Sequence, residues 1–72
     1  SEPIWAGQLL ADGRLLFHLE LSIVCLDVAG NECWRYAHSE IITDIIMQGD
    51  QVVVHDFSGR HLTLDLKTGT RL

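Results

Sequence analysis

The sequence is short of several things that usually announce a function. Lysine and arginine number only five against ten aspartates and glutamates in 72 residues, a formal charge of −5. Such a surface repels phosphate backbones and anionic membranes, so nucleic acid is not an expected partner. No stretch approaches the roughly 18 consecutive apolar residues of a membrane helix. The start, Ser1-Glu2-Pro3, is not a basic region leading into an apolar one. Membrane insertion is therefore not expected; an upstream signal could have been removed, so the compartment stays open, with the cytoplasm slightly favoured. The two cysteines, Cys25 and Cys33, are too few for a disulfide scaffold and lack the Cys-x-x-Cys spacing of zinc and redox sites. They read as two small buried apolar side chains, although adjacent strands of one hairpin could bring them into bridging distance.

What is present is apolar material. At 47% hydrophobic and 21% charged residues, the chain is far from the composition of disorder and should fold as one small domain spanning residues 1–72. Its apolar runs are short and interrupted by turn signals. Asp12-Gly13 separates Gln8–Ala11 from Arg14–Phe17, and Gly49-Asp50 separates Ile45–Gln48 from Gln51–Val54. Both read as two-residue hairpin turns, the first of type I′ with positive φ at both positions, the second of type II′ with Gly leading.

Each hairpin is followed by an apolar segment ending in a similar phrase, Leu26-Asp27-Val28-Ala29-Gly30 and Leu64-Asp65-Leu66-Lys67-Thr68-Gly69. Gly13 to Gly49 spans 36 positions, Asp27 to Asp65 spans 38 and Gly30 to Gly69 spans 39, which indicates an internal repeat with insertions in the second unit. The units run approximately over residues 4–36 and 41–72. The insertion falls around His55–His61, where Ser58-Gly59 supplies a further turn. In the first unit the corresponding break, near Glu20 to Ser22, carries no Gly, Asn or Pro and rests on the analogy alone. A helix over Leu15–Val28 would align Leu15, Leu16, Leu19 and Leu26 in a stripe. The alternation of Leu15, Phe17, Leu19 and Leu21 with His18, Glu20 and Ser22 favours strand. The fold class is all-β and antiparallel, in two units of three to four strands each.

With these residues in place, the chain resembles the quinoprotein-type, pyrroloquinoline-quinone-like repeat of β-propellers. The likeness rests on Asp12-Gly13, Leu26-Asp27, Gly30 and Trp34, then Gly49, Ser58-Gly59 and Leu64-Asp65-Leu66-Lys67-Thr68-Gly69. Asp27 and Gly30 lie one residue closer than Asp65 and Gly69, and the 72 residues end just before a second Trp would fall. About two blades are implied, with Trp34 packing between neighbours, and Trp5 is the second large aromatic surface offered to a partner. Two blades leave sheet edges and faces uncovered. A part of a longer propeller, several copies completing a ring, and a small sandwich or barrel all remain open. The family's enzymes hold cofactor and metal at the centre of a complete ring, which a chain this short does not form. No cofactor is expected.

Chemical sites are correspondingly faint. Of the four histidines, the best cluster is His55, Asp56 and His61. If Ser58-Gly59 is a two-residue turn, Asp56 faces His61 across the hairpin while His55 points to the other face. The pair is then an ordinary surface interaction worth about 1 kcal/mol or less, in preference to a metal site. His18 and Glu20 share the polar side of their strand and should meet water. Ser22, Ser39 and Ser58 lack the elbow or triad context of a nucleophile. The leading expectation is a non-catalytic interaction or assembly module acting through a protein partner or self-association. An enzyme's β-domain would instead bring His55, Asp56, Arg60 and His61 to one concave pocket. A small-ligand barrel would enclose an apolar cavity.

Overall fold

The computed structural model describes the backbone of residues 4–72 and the side chains of residues 6–72. These residues form seven strands and no helix: β1 (Ile4–Leu9), β2 (Leu15–Leu19), β3 (Ser22–Leu26), β4 (Glu32–Ala37), β5 (Ile42–Gln48), β6 (Gln51–Asp56) and β7 (His61–Asp65). They make two antiparallel meanders, β1-β2-β3-β4 and β5-β6-β7, which do not close into a barrel. A bridge between Leu64 and Arg71 begins a further pairing beyond β7. The two meanders share one detail: a bulge interrupts β1 between Ile4 and Ala6, and another interrupts β5 between Ile42 and Asp44, near the start of the first strand of each.

The Asp-Gly hairpin forms, but not as type I′. Gly13 N–H donates to the Leu10 carbonyl at 3.0 Å and Leu10 N–H to the Arg14 carbonyl at 2.8 Å, while Gly13 alone takes positive φ, +91°. That is a type I turn closed by a left-handed glycine, the three-residue hairpin with a bulge. The same design recurs at Asp27–Asn31 and Asp56–Arg60, where Gly30 and Gly59 donate to the Asp27 and Asp56 carbonyls at 2.9 and 3.1 Å. Gly49-Asp50, by contrast, is a two-residue turn with Gln48 opposite Gln51 and positive φ at Gly49 only, as type II′ requires.

The break at Glu20-Leu21 exists without any turn residue because tertiary partners hold it. The Glu20 carbonyl accepts from Ile42 N–H and the Leu21 carbonyl from His38 N–H, both at 2.8 Å, so the link between the sheets clamps the turn.

Which face is buried also differs from the expectation. The core is Leu16, Ile23, Cys25 and Trp34 of the first sheet against Ile42, Val52, Val54 and Leu64 of the second, with Leu10 and Leu66 at one end. In β2 it is Leu16 and His18 that point inward, and His18 is only 3% exposed. His18 therefore does not meet water: its Nε2 lies 2.8 Å from the Ile42 carbonyl oxygen, a partner for a polar ring inside the core. Leu15, Phe17 and Leu19 lie on the opposite face of the first sheet, where Leu15 pairs with Leu9 and Leu26, and Phe17 with Gly7 and Val24.

Candidate functional site

Besides the His18–Ile42 contact in the middle, a set of polar contacts joins the two halves at each end. At the end holding the β1–β2 and β3–β4 turns, the buried Trp34 indole N–H donates to the Leu66 carbonyl at 2.9 Å, and Arg14 Nη1 donates to the same oxygen at 2.8 Å. The indole packs against Gly69, whose φ is +74° and where a Cβ would come within 2.5 Å of Trp34 Cδ2 and Cε3. The phrase ending at Gly69 thus supplies both a carbonyl for the ring nitrogen and a surface without a side chain for the ring. The Trp5 side chain falls outside the described residues.

At the other end, Tyr36 Oη and His38 Nδ1 are 2.8 Å apart and His38 Nε2 lies 2.9 Å from Asp56 Oδ2. Asp56 Oδ1 accepts from Ser58 N–H (3.0 Å), Ser58 O–H (2.6 Å) and Arg60 N–H (3.0 Å). The Ser58 hydroxyl, the His38 ring and these backbone amides hold the Asp56 carboxyl well below the usual carboxylate range. Burial pushes the Tyr36 phenol up, with the Arg71 charge opposing that shift.

This arrangement overturns the expected Asp56–His61 pair. The loop has three residues, Phe57-Ser58-Gly59, so Asp56 closes the turn opposite Arg60 and His55 stands directly opposite His61. The two rings lie 5.6 Å apart on the outer face of the second sheet, with Asp44 next to His55. Asp56 instead turns inward, 8% exposed, toward His38 in the link that follows β4. Among the described residues no group of three or more His, Cys, Asp or Glu side chains is placed to hold a metal ion. His38 carried no local signal, since its partner is 18 positions away. The loop length did carry one, because Asp56-Phe57-Ser58-Gly59 repeats the pattern Asp27-Val28-Ala29-Gly30, in which Asp27 Oδ1 likewise accepts from the amides two and four residues on.

Of the four residues expected to converge in an enzyme's β-domain, three do. Asp56, Arg60 and His61 line a cleft of about 150 Å³ together with His38, Ser39 and Arg71, while His55 stays outside it. The arrangement does not assemble a nucleophile: the Ser58 hydroxyl donates to Asp56, and both His38 nitrogens are engaged by Tyr36 and Asp56. A larger cleft of about 510 Å³ lies at the opposite end, open between the sheets beside Leu10, Arg14, Met47 and Leu66. Cys25 is buried and Cys33 exposed, both as free thiols, so the expectation that both are buried fails at Cys33, which sits where the β3–β4 register shifts. Comparison with protein-family models and with curated proteins finds no match to the chain.

Proposed function

We propose that the chain is a non-catalytic assembly module, two units of a propeller-like repeat whose function is to pack against further units of the same kind. The observation that carries this reading is the two-sided apolar character of the first sheet. Its inner face is covered by the second sheet. Its outer face presents Leu9 (69% exposed) and Leu15 (37% exposed) beside the half-buried Phe17, Leu19 and Leu26. A β-sheet that is apolar on both faces belongs between two layers, and an apolar face of this kind marks an interaction surface.

The occupant we assign is the second sheet of another copy. Within one chain that layer order already exists, first sheet against second, with Trp34 seated on the Gly69 turn. The outer face of the second sheet offers Ile46 (43% exposed) and Val53 as its apolar centre, with Asp44, His55 and His61 to one side. Joining that face to the outer face of another first sheet is a head-to-tail contact, which closes into a ring if the rotation per copy permits.

Sedimentation across the micromolar to millimolar range tests the reading. The expected result is a mass that grows with concentration to a closed multiple of the chain, abolished by Leu15→Lys, a substitution at an exposed position. A folded monomer at the highest concentration refutes self-assembly. Capture of a different protein's sheet on the same face would replace the second copy as occupant.

A further inference from the structure

The small cleft at the His38–Asp56 end has an electrostatic character unlike the rest of this acidic chain. Lysine and arginine total five. Arg14 is paired with Asp12 and Arg35 with Glu32, at 2.7 and 3.0 Å. Arg60 and Arg71 make no ion pair among the described residues, and both line this cleft, with His61 and Ser39 beside them. Its one carboxylate, Asp56, pairs with His38 and makes no ion pair with either arginine. Both of its oxygens are already occupied, Oδ1 by Ser58 and the Arg60 amide, Oδ2 by His38.

We propose that this cleft binds a small oxyanion, phosphate or carboxylate, held by the guanidinium groups of Arg60 and Arg71 with the His61 ring and the Ser39 hydroxyl as further donors. Guanidinium presents paired N–H donors that match two oxygens of such an anion, and charge-assisted contacts of this type are about twice as strong as neutral ones. The cleft, about 150 Å³, has room for one such group. Every residue in the site belongs to one chain and none lies on the outer face of the first sheet; His61 alone borders the outer face of the second sheet that the assembly reading uses, so the titration is run at a concentration where the chain is monomeric.

The test is a titration of the intact chain with sodium phosphate and, separately, sodium acetate, followed by amide chemical shifts at ionic strength matched with chloride. Saturable shifts confined to Ser39, Arg60, His61 and Arg71 are expected with one anion or both. Saturation by phosphate alone identifies a phosphate site, and saturation by acetate alone a carboxylate site. Arg60→Gln and Arg71→Gln should each weaken binding about tenfold or more. Lys67→Gln, which removes the same charge at the opposite end, should leave it unchanged. Shifts that do not saturate, that chloride reproduces, or that survive both arginine substitutions overturn the proposal. All three side chains are exposed, and the variants are read only after their amide spectra show the native dispersion.

Discussion

Gly69 is where sequence, backbone and packing meet most tightly, and replacing it with alanine tests the account of how the two sheets are joined. Two costs arise. Its φ of +74° lies in the left-handed region, where an L-residue with a Cβ is worse off by roughly 1–2 kcal/mol. The new methyl would also stand 2.5 Å from the Trp34 ring, so the indole must move. Moving it breaks the N–H bond to the Leu66 carbonyl, worth about 1 kcal/mol, and opens contacts of a side chain that is 8% exposed. Together these give about 2–4 kcal/mol. Gly30→Ala supplies the control, because its φ is similar, +87°, and nothing lies within 4 Å of its Cβ position. It should lose only the backbone part, about 1–2 kcal/mol. For a domain of this size each kcal/mol moves the melting temperature by roughly 4–8 °C, so the variants should melt on the order of 10 °C apart. Thermal and urea unfolding followed by far-UV circular dichroism measures this, with an unchanged m-value confirming that native stability moved. Repeating Gly69→Ala in a Trp34→Leu background should shrink its cost to that of Gly30→Ala. If the two glycine variants are equally destabilised with Trp34 present, the indole does not depend on the bare glycine and the reasoning fails.

Other outcomes follow from the same contacts. Because the Asp56 carboxyl is depressed in the folded chain, the unfolded chain takes up that proton first as pH falls below about 3.8, the ordinary value. Its stabilising contribution is complete above that pH and is lost below it, so Asp56→Asn should flatten the acid side of a pH–stability curve, and an unchanged slope would exclude the role. His18→Leu leaves the Ile42 carbonyl without its ring partner inside the core and should cost about 1–3 kcal/mol in urea unfolding, against no loss if the imidazole is dispensable. Under native conditions a maleimide should modify Cys33 and spare Cys25, whose thiol is buried and pushed up by that burial, whereas in denaturant both should react. Equal native rates at the two would contradict the packing of β3.

Secondary structure was legible wherever a residue type forces the backbone. Gly13, Gly30, Gly49, Gly59 and Gly69 all take positive φ, and each sits at a strand junction. The break at Glu20-Leu21 had no such mark, because what makes it is hydrogen bonding from His38 and Ile42, which a local window does not contain. The inward face of β2 differs from the expectation for a related reason. Alternation shows that Leu15, Phe17 and Leu19 share a face, but when both faces are apolar it does not say which one the chain covers itself. Histidine then looks like the polar side, although Ile42 offers it a buried acceptor. At His55–His61 the error was one of register. The turn includes Phe57 as well as Ser58-Gly59, which moves every partner by one position and exchanges the faces, so Asp56 does not meet His61.

The placement of polar groups explains why the two sheets adopt one relative orientation. An interface of Leu, Ile and Val alone is non-directional, and burial changes little when such sheets slide or rotate by a small amount. Here three polar ties lie along the interface: Trp34 and Arg14 to the Leu66 carbonyl at one end, His18 to the Ile42 carbonyl in the middle, and His38 to Asp56 at the other. Sliding by one residue would leave a buried ring or carboxylate without its partner, which costs far more than the contacts give in net stability. The apolar residues therefore supply the attraction and the polar ones the angle. A fixed angle between sheets is what a head-to-tail assembly needs, since the rotation from one layer to the next decides whether copies close on themselves or run on as a filament. If the chain assembles as we propose, severing the tie at one end, by Asp56→Ala or His38→Ala, should accordingly broaden the distribution of assembled masses before it unfolds the chain. A single unchanged species in a folded variant would show that apolar packing alone sets the geometry.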